Sequence, residues 1–349
     1  NEVTINDFNP AEELAITNSR VDGLEARLND FEAGSFSETT TASFSADFAI
    51  GAVDGGSLTT DDTVMAGYAF KIGLSTSFTG DDSLNANLKA GNAGSAGISE
   101  FDLRGAGDTL QLDDIWYTFP VGDKLTVLVG DSLPGSKLFN TACVYGGPSN
   151  TLDDCGNVNG AFDLKSGTTA AASYEIGNGF TAAVGYTGPG DTTAGLMTKQ
   201  GADAYGLNLA YDSDSYGLSA TYSMVEDGTA AQNDDTYTSL NAYWTPDGFP
   251  SISVGYEWGN DGSEPSTSDQ LNSYFVGVQF DEVGPGKLGV AMGTKTPTVE
   301  NSSELLMYEA FYSYAVNDSM TITPLVYIKE FPTGTNDETG LMVKSSFRF

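Results

Sequence analysis

No histidine occurs among the 349 residues. A Ser-His-Asp hydrolytic site is therefore impossible as such, and the commonest general base and zinc ligand is missing. The two cysteines, Cys143 and Cys155, have no companions at zinc-ligand spacing. They share one polar stretch, which reads as a disulfide formed in an oxidising compartment; the alternative is two free thiols in a reducing one. Three acidic pairs, Asp153-Asp154, Glu226-Asp227 and Asp234-Asp235, could hold Ca²⁺ or Mg²⁺ weakly or simply be solvated. The sequence thus points to no enzyme, no resident metal and no cofactor.

What chemistry remains is that of placed charge. Lys and Arg number 14 against 48 Asp and Glu, a net charge of −34, which argues against nucleic acid as a partner. With so few basic residues, their positions matter. In local two-residue alternation Lys71, Lys89, Lys344 and Arg348 fall on the polar face of their segments, as do Glu257 and Glu309. Lys137 lies in the long polar stretch that holds the cysteines. If those faces enclose water, these residues line a pore and give it a weak charge preference. An inward charge in a water-filled lumen is also cheap and can be uninformative.

The elements that would carry them are strands. No stretch approaches the roughly 20 apolar residues of a membrane helix, but alternation runs through most of the chain. Phe44, Ala46, Phe48 and Ile50 share a face, as do Val64, Ala66, Tyr68, Phe70, Ile72 and Leu74. Further strands centre on Leu84–Ala90, Leu110–Phe119, Leu125–Val129, Ala170–Ile176, Phe180–Tyr186 and Tyr205–Tyr211. The series continues through Tyr216–Met224, Tyr237–Trp244, Ile252–Trp258, Tyr274–Phe280, Leu288–Met292, Leu306–Tyr314, Met320–Ile328 and Leu341–Phe349. The last of these sets Leu341, Val343, Phe347 and Phe349 against Lys344, Ser346 and Arg348, as a closing strand between lipid and water requires. Sixteen is an even count, as single-chain bacterial barrels show.

The connections decide the architecture. Tight turns such as Gly177-Asn178-Gly179 and Pro246-Asp247-Gly248 alternate with long acidic loops near 53–62, 92–109, 131–167, 187–203, 225–235, 259–270, 293–304 and 329–340. A propeller or sandwich has no reason to put every long connection at one end. The expectation is an all-β transmembrane β-barrel of about 16 antiparallel strands over 36–349. Loop 131–167 would fold inward as its constriction, stapled by Cys143 and Cys155; the alternative is an outward loop braced by the same bond. The aromatics, among them Tyr205 with Tyr211 and Tyr216 with Tyr222, would form girdles at the membrane interfaces.

Ahead of the barrel, after an extension over 1–12, residues 13–34 show a short heptad pattern. Leu14, Val21 and Leu28 recur every seven residues, interleaved with Thr17, Leu24 and Phe31. Arg20 and Arg27 at g face Glu25 and Glu32 at e of a neighbouring chain. Arg20-Val21-Asp22-Gly23-Leu24-Glu25 fits the short R-h-x-x-h-E pattern of trimeric coils, where h is hydrophobic. The expectation is a periplasmic α-helical coiled coil that trimerises the protein; the alternative is one amphipathic helix lying on or plugging the barrel. The chain opens without a signal peptide and is read as a mature form.

Arg20-Val21-Asp22-Gly23-Leu24-Glu25-Ala26-Arg27, Thr76-Ser77-Phe78-Thr79-Gly80, Leu88-Lys89-Ala90-Gly91-Asn92, Leu112-Asp113-Asp114-Ile115-Trp116-Tyr117 and Phe119-Pro120-Val121-Gly122 resemble one family. It is the cyanobacterial outer-membrane porins, relatives of the OprB-type carbohydrate-selective porins. The likeness covers the coil and the first third of the barrel and is thin beyond. It implies a sixteen-stranded homotrimer in outer-membrane lipid, passing ions and small hydrophilic solutes by passive diffusion. Members usually carry an S-layer-homology domain before the coil that binds peptidoglycan. Here about a dozen residues precede Leu14, so such anchoring is not expected. Members often have Arg just before the Leu of the third strand, where this chain has Asn87, and a strongly basic eyelet is not implied. Two rivals remain: a surface adhesin or receptor barrel, and a soluble acidic all-β binding protein.

Overall fold

Most strands of the sheet turn large apolar residues outward and small polar residues inward, the reverse of a soluble barrel; the inward apolar side chains, such as Phe275, Phe311, Leu325 and Met342, pack against loops inside the barrel. The computed structural model describes residues 39–56, 63–94, 96–103, 107–157, 166–226, 234–262 and 270–349. In Tyr216–Val225, Tyr216, Leu218 and Tyr222 are exposed while Ser219, Thr221 and Ser223 are buried. Phe48, Leu207, Leu240, Val254, Val290 and Leu341 point outward on other strands. A contiguous apolar belt of that kind is stable against lipid and would aggregate in water.

The strands run in chain order: β1 (Thr40–Asp54), β2 (Met65–Thr76), β3 (Ser83–Gly91), β4 (Gln111–Val121), β5 (Leu125–Pro134) and β6 (Ser166–Gly177). Next come β7 (Phe180–Gly188), β8 (Ala204–Asp212), β9 (Tyr216–Val225), β10 (Asp235–Trp244), β11 (Ser251–Asn260) and β12 (Gln270–Val283). The last are β13 (Gly286–Thr294), the two-residue β14 (Thr298–Val299), β15 (Leu306–Asn317), β16 (Met320–Lys329) and β17 (Glu338–Arg348). β14 is a loop segment laid against Leu271 and Asn272 of β12; the other sixteen form the wall. Every pairing is antiparallel between chain neighbours, and β17 returns to β1 to close the ring. Phe44 and Phe349 exchange both backbone hydrogen bonds, at 2.9 and 3.0 Å, so the sheet has no free edge there.

All sixteen expected strands are present, and every long connection leaves from the same end. The short turns have local causes. Between β2 and β3, Asp82 accepts hydrogen bonds from Ser77 Oγ, Phe78 N and Thr79 N, each at 2.8 Å, and from the Tyr117 hydroxyl at 2.6 Å. The Tyr117 bond first, and then the others, hold this carboxyl well below the usual range. Aromatic rings mark the rims: Phe180, Tyr211 and Tyr216 pack in series at the short-turn end, and Tyr186 packs on Tyr205 near the long loops. Tyr205 and Tyr211 therefore belong to opposite rims of β8.

Among the described residues, two of the long loops turn inward. A 3-10 helix, Ala96–Phe101, lies inside the barrel with Ile98, Phe101 and Leu103 buried against Ala49, Val53, Ala69, Leu325 and Met342. Only glycine leaves room at position 67, where a Cβ would come 2.7 Å from the Ala93 Cα and 3.1 Å from the Ile98 Cδ1. The extension 1–12 and the coil residues Leu14, Thr17, Arg20, Val21, Leu24, Glu25, Leu28 and Phe31 lie outside the described residues.

Candidate functional site: the barrel interior and its long loop

The loop between β5 and β6 is placed by polar side chains that project from the inner wall. Asn208 Oδ1 on β8 accepts from Asn140 N at 3.0 Å, and Ser219 Oγ on β9 from Ala142 N at 2.9 Å. Ser253 Oγ on β11 accepts from Val144 N and Tyr145 N at 3.0 and 3.1 Å, and Gln279 Oε1 on β12 from Gly146 N at 3.1 Å. At the far side the Tyr145 hydroxyl donates to Glu309 Oε1 on β15 at 2.7 Å. Its ring packs on Phe275 and Phe311. Burial and the neighbouring Glu309 push the Tyr145 phenol up, so it stays a donor.

The returning limb is held as firmly. Asn241 Nδ2 on β10 donates to the Cys155 carbonyl at 3.1 Å, Ser273 Oγ on β12 donates to the Gly156 carbonyl at 2.7 Å, and Asn157 bonds Asn241. Cys143 and Cys155 join the two limbs in a disulfide with Cα atoms 6.3 Å apart. In the loop-entropy account a ring of this size contributes about 3 kcal/mol. The turn between the limbs meets the inward 3-10 helix. Asn150 N donates to the Glu100 carbonyl at 2.8 Å, and Thr151 Oγ1 to Glu100 Oε1 at 3.3 Å. Lys329 at the end of β16 completes the contact as an ion pair with the same oxygen. Asp153 nearby is partly buried and faces Asp102; burial first, then Asp102, raises its carboxyl to about 6.

The charged residues expected from alternation are placed as follows. Lys71 on β2 stands across from Ser45 of β1 and Lys89 of β3, and Arg348 on β17 stands across from the same Ser45. Lys344, four residues earlier on β17, lies with its ammonium 5.2 Å from the centre of the Phe101 ring. Lys89 forms an ion pair with Asp113. Lys137, in the long loop, stacks on Trp116 at 4.7 Å. Glu257 and Glu309 point inward but are only 2 % and 3 % exposed. Glu257 accepts from Ser239 Oγ at 2.9 Å, and Glu309 lies beneath Tyr145. Parity gives the side of a strand and says nothing of a loop laid over it, so neither carboxylate reaches open water.

Alternation also missed three contributors. Lys329 continues the inward series of Leu325 and Tyr327 but reads as the first residue of a loop. Glu100 has no periodic signal, because its helix is a single inward turn. At Asp113-Asp114 strict alternation would send one acid to lipid. The register shifts between Asn87 and Leu88, and the extra residue turns both acids inward, one to Lys89 and one to the Asn87 amide at 2.7 Å. Of the acidic pairs, Asp227 lies outside the described residues. Among the described residues no group of three carboxylates or cysteines is arranged to hold a metal.

A closed antiparallel wall, apolar outside and polar inside, with a stapled loop laid across its inner face, defines a transmembrane β-barrel of the outer-membrane kind. The Gram-negative porin family model matches residues 33–326, and the chain belongs to that family. An uncharacterised protein, alr4550, of Nostoc sp. strain PCC 7120 is 32 % identical over 126 residues, 32 % of this chain and 22 % of its own length. The chain thus spans about a fifth of that relative. Among solved structures, the high-pH form of Pseudomonas putida OprB superposes with a TM-score of 0.64 at 13 % identity, covering 89 % of this chain and 94 % of that one. A loop-deleted OmpT, an outer-membrane protein of Vibrio cholerae, gives 0.62 at 10 % identity, covering 89 % and 100 %. An engineered Rh. blastica porin gives 0.56 at 14 % identity with the same coverage. These likenesses are of fold; the family places the barrel in the outer membrane.

Proposed function

We propose that the protein is a water-filled channel for passive diffusion of ions and small hydrophilic solutes, narrowed by the loop over 131–167. The observation that carries this reading is the seating of that loop on inner-wall side chains of β8, β9, β10, β11, β12 and β15. A sixteen-stranded barrel is wide enough for an aqueous channel. A loop fixed along one wall narrows the channel while leaving the part of the opposite wall, β1 to β5 with β17, that the inward 3-10 helix does not cover to line the path. Lys71, Lys89, Lys137, Lys344 and Arg348 belong to that path on this reading, with Asp47, Asp113 and Asp114 among them.

Two charge sets then contest selectivity. The acidic outer loops gather cations over a screening length of roughly 8 Å at physiological salt, whereas the lumen charges act where bulk water screens less. Selectivity is expected to be weak and to move toward anions as salt rises. Reversal potentials in a planar bilayer, under a fixed KCl gradient at two mean concentrations, measure this. Strong cation selectivity persisting at molar salt would place an acidic ring at the narrowest point instead.

The assembly proposed is a homotrimer, supported by the heptads of Leu14, Val21 and Leu28 and the Arg20–Glu25 pattern. Leu24→Asp with Leu28→Asp puts charges into an apolar seam and should weaken the trimer in mild detergent. Trimers of unchanged stability would assign the assembly to barrel contacts alone.

A further inference from the structure

Where β17, β1, β2 and β3 meet β4, the inner wall carries a polar recess of about 340 Å³. We infer that this recess is a weak binding subsite for small oxyanions of the phosphate or sulfate type, a substrate class for the channel proposed above and resting on that reading. Its charge comes from two cations that flank one serine: Ser45 is the cross-strand neighbour of both Arg348 and Lys71. Directly opposed residues on neighbouring strands lie about 5 Å apart, so both cationic heads can reach one small anion from either side of the hydroxyl. Gly73 supplies the space, since a Cβ there would crowd Ser43 Oγ at 2.6 Å.

The balance of charge decides the sign of the ligand. Among the described residues, Lys71 and Arg348 form no ion pair. The two acids that line the recess are already engaged. Asp113 is paired with Lys89, and Asp114 accepts from Asn87 at 2.7 Å and feels Lys137 before Lys71. Asp47 faces Lys344, which stands behind the recess under Phe101. Lys71, Lys89, Lys137, Lys344 and Arg348 thus stand against Asp47, Asp113 and Asp114, five cationic side chains against three acidic ones, and the excess of two positive charges is shared across this side of the lumen. Two cations and a hydroxyl favour a compact dianion with several acceptor oxygens over chloride, which has no directional acceptors, and over a neutral sugar. Arg offers a forked donor and Lys a mobile point charge, a combination that follows a tetrahedral anion without fixing it. Weak binding suits a conducting path, where a solute must leave as readily as it enters.

The test uses inorganic phosphate at pH 8 with the full chain in detergent. Binding is read by phosphorus NMR line broadening, and in parallel phosphate is titrated against the KCl current in a planar bilayer. Saturable broadening and a saturable reduction of current are expected. Lys71→Gln and Arg348→Gln should each weaken phosphate about tenfold, the worth of one charge-assisted hydrogen bond. Lys71→Arg and Arg348→Lys should largely restore it. The same heat-resistant gel mobility in all variants would establish that the barrel is intact. Sulfate should compete and glucose should not. Broadening that is absent or non-saturable, or unchanged in both Gln variants, overturns the subsite even if the channel conducts. Saturable binding without conduction leaves the subsite standing and overturns the channel reading.

Discussion

A Lys329→Met channel is expected to pass more current than the parent, and to pass it with more open-state noise. Lys329 and Glu100 form an ion pair between groups whose side chains are 13 % and 4 % exposed. Removing one partner of such a pair leaves a buried charge uncompensated, which costs about 3–5 kcal/mol. The cost falls on one short element, because Glu100 sits where the inward 3-10 helix, the long loop and β16 meet. A cost of that size is comparable to what burial of Ile98, Phe101 and Leu103 contributes, at about 1.5–3 kcal/mol each, and leaves the turn only marginally held. The helix and the loop tip should therefore separate, and the mouth of the lumen should widen. Lys329→Arg keeps the charge and should keep the parent conductance. The double change Glu100→Gln with Lys329→Met removes both charges and should be milder than Lys329→Met alone, because no unpaired ion remains. Parent-like current in Lys329→Met would mean that the junction does not border the conducting path.

The contrast between strands and loops shows what the sequence makes legible. Phe48, Leu218 and Leu341 announce their face because a strand in lipid must put every second side chain outward; parity alone placed Lys71, Lys344 and Arg348. The barrel was readable for that reason. Glu309 and Glu100 show where the reading ends. Glu309 has the right parity, but Tyr145 from a residue 164 positions away covers it. Glu100 is buried by a turn with no period. The seats for the long loop, Ser219, Ser253 and Asn241, look like ordinary small polar residues of a lumen. Only the path of the loop gives them a task. Cys143 and Cys155 were the exception, since their shared polar segment signals a crosslink before any geometry is known.

Gly255→Ala should act on the loop from beneath. Gly255 faces inward on β11, opposite Asn241 of β10. A Cβ there would overlap the Cys155 carbonyl oxygen and crowd Asn241 Nδ2 at 2.7 Å. The wall cannot retreat, because its strands are fixed by hydrogen bonds on both sides. The loop must lift toward the pore axis and stretch the Asn241–Cys155 bond, an overpacking cost of about 1–3 kcal/mol. The disulfide passes the displacement to the outgoing limb, so conductance should fall while gel mobility and outer-membrane insertion stay as in the parent. Ser253→Ala, which removes the acceptor for Val144 N and Tyr145 N without adding bulk, should instead loosen the loop and raise conductance noise. A Gly255→Ala channel indistinguishable from the parent would show that the loop is not seated on β11 in the membrane.

A wide barrel narrowed by a fixed internal loop must sort solutes by size. Purified protein in liposomes, swollen in neutral solutes from a pentose through a hexose and a disaccharide to a tetrasaccharide, gives relative permeation rates free of charge effects. Measurable swelling is expected with the pentose, with a steep fall at each increase in size and a shallower fall after Lys329→Met. No swelling with any solute, or equal rates for every size, would contradict it.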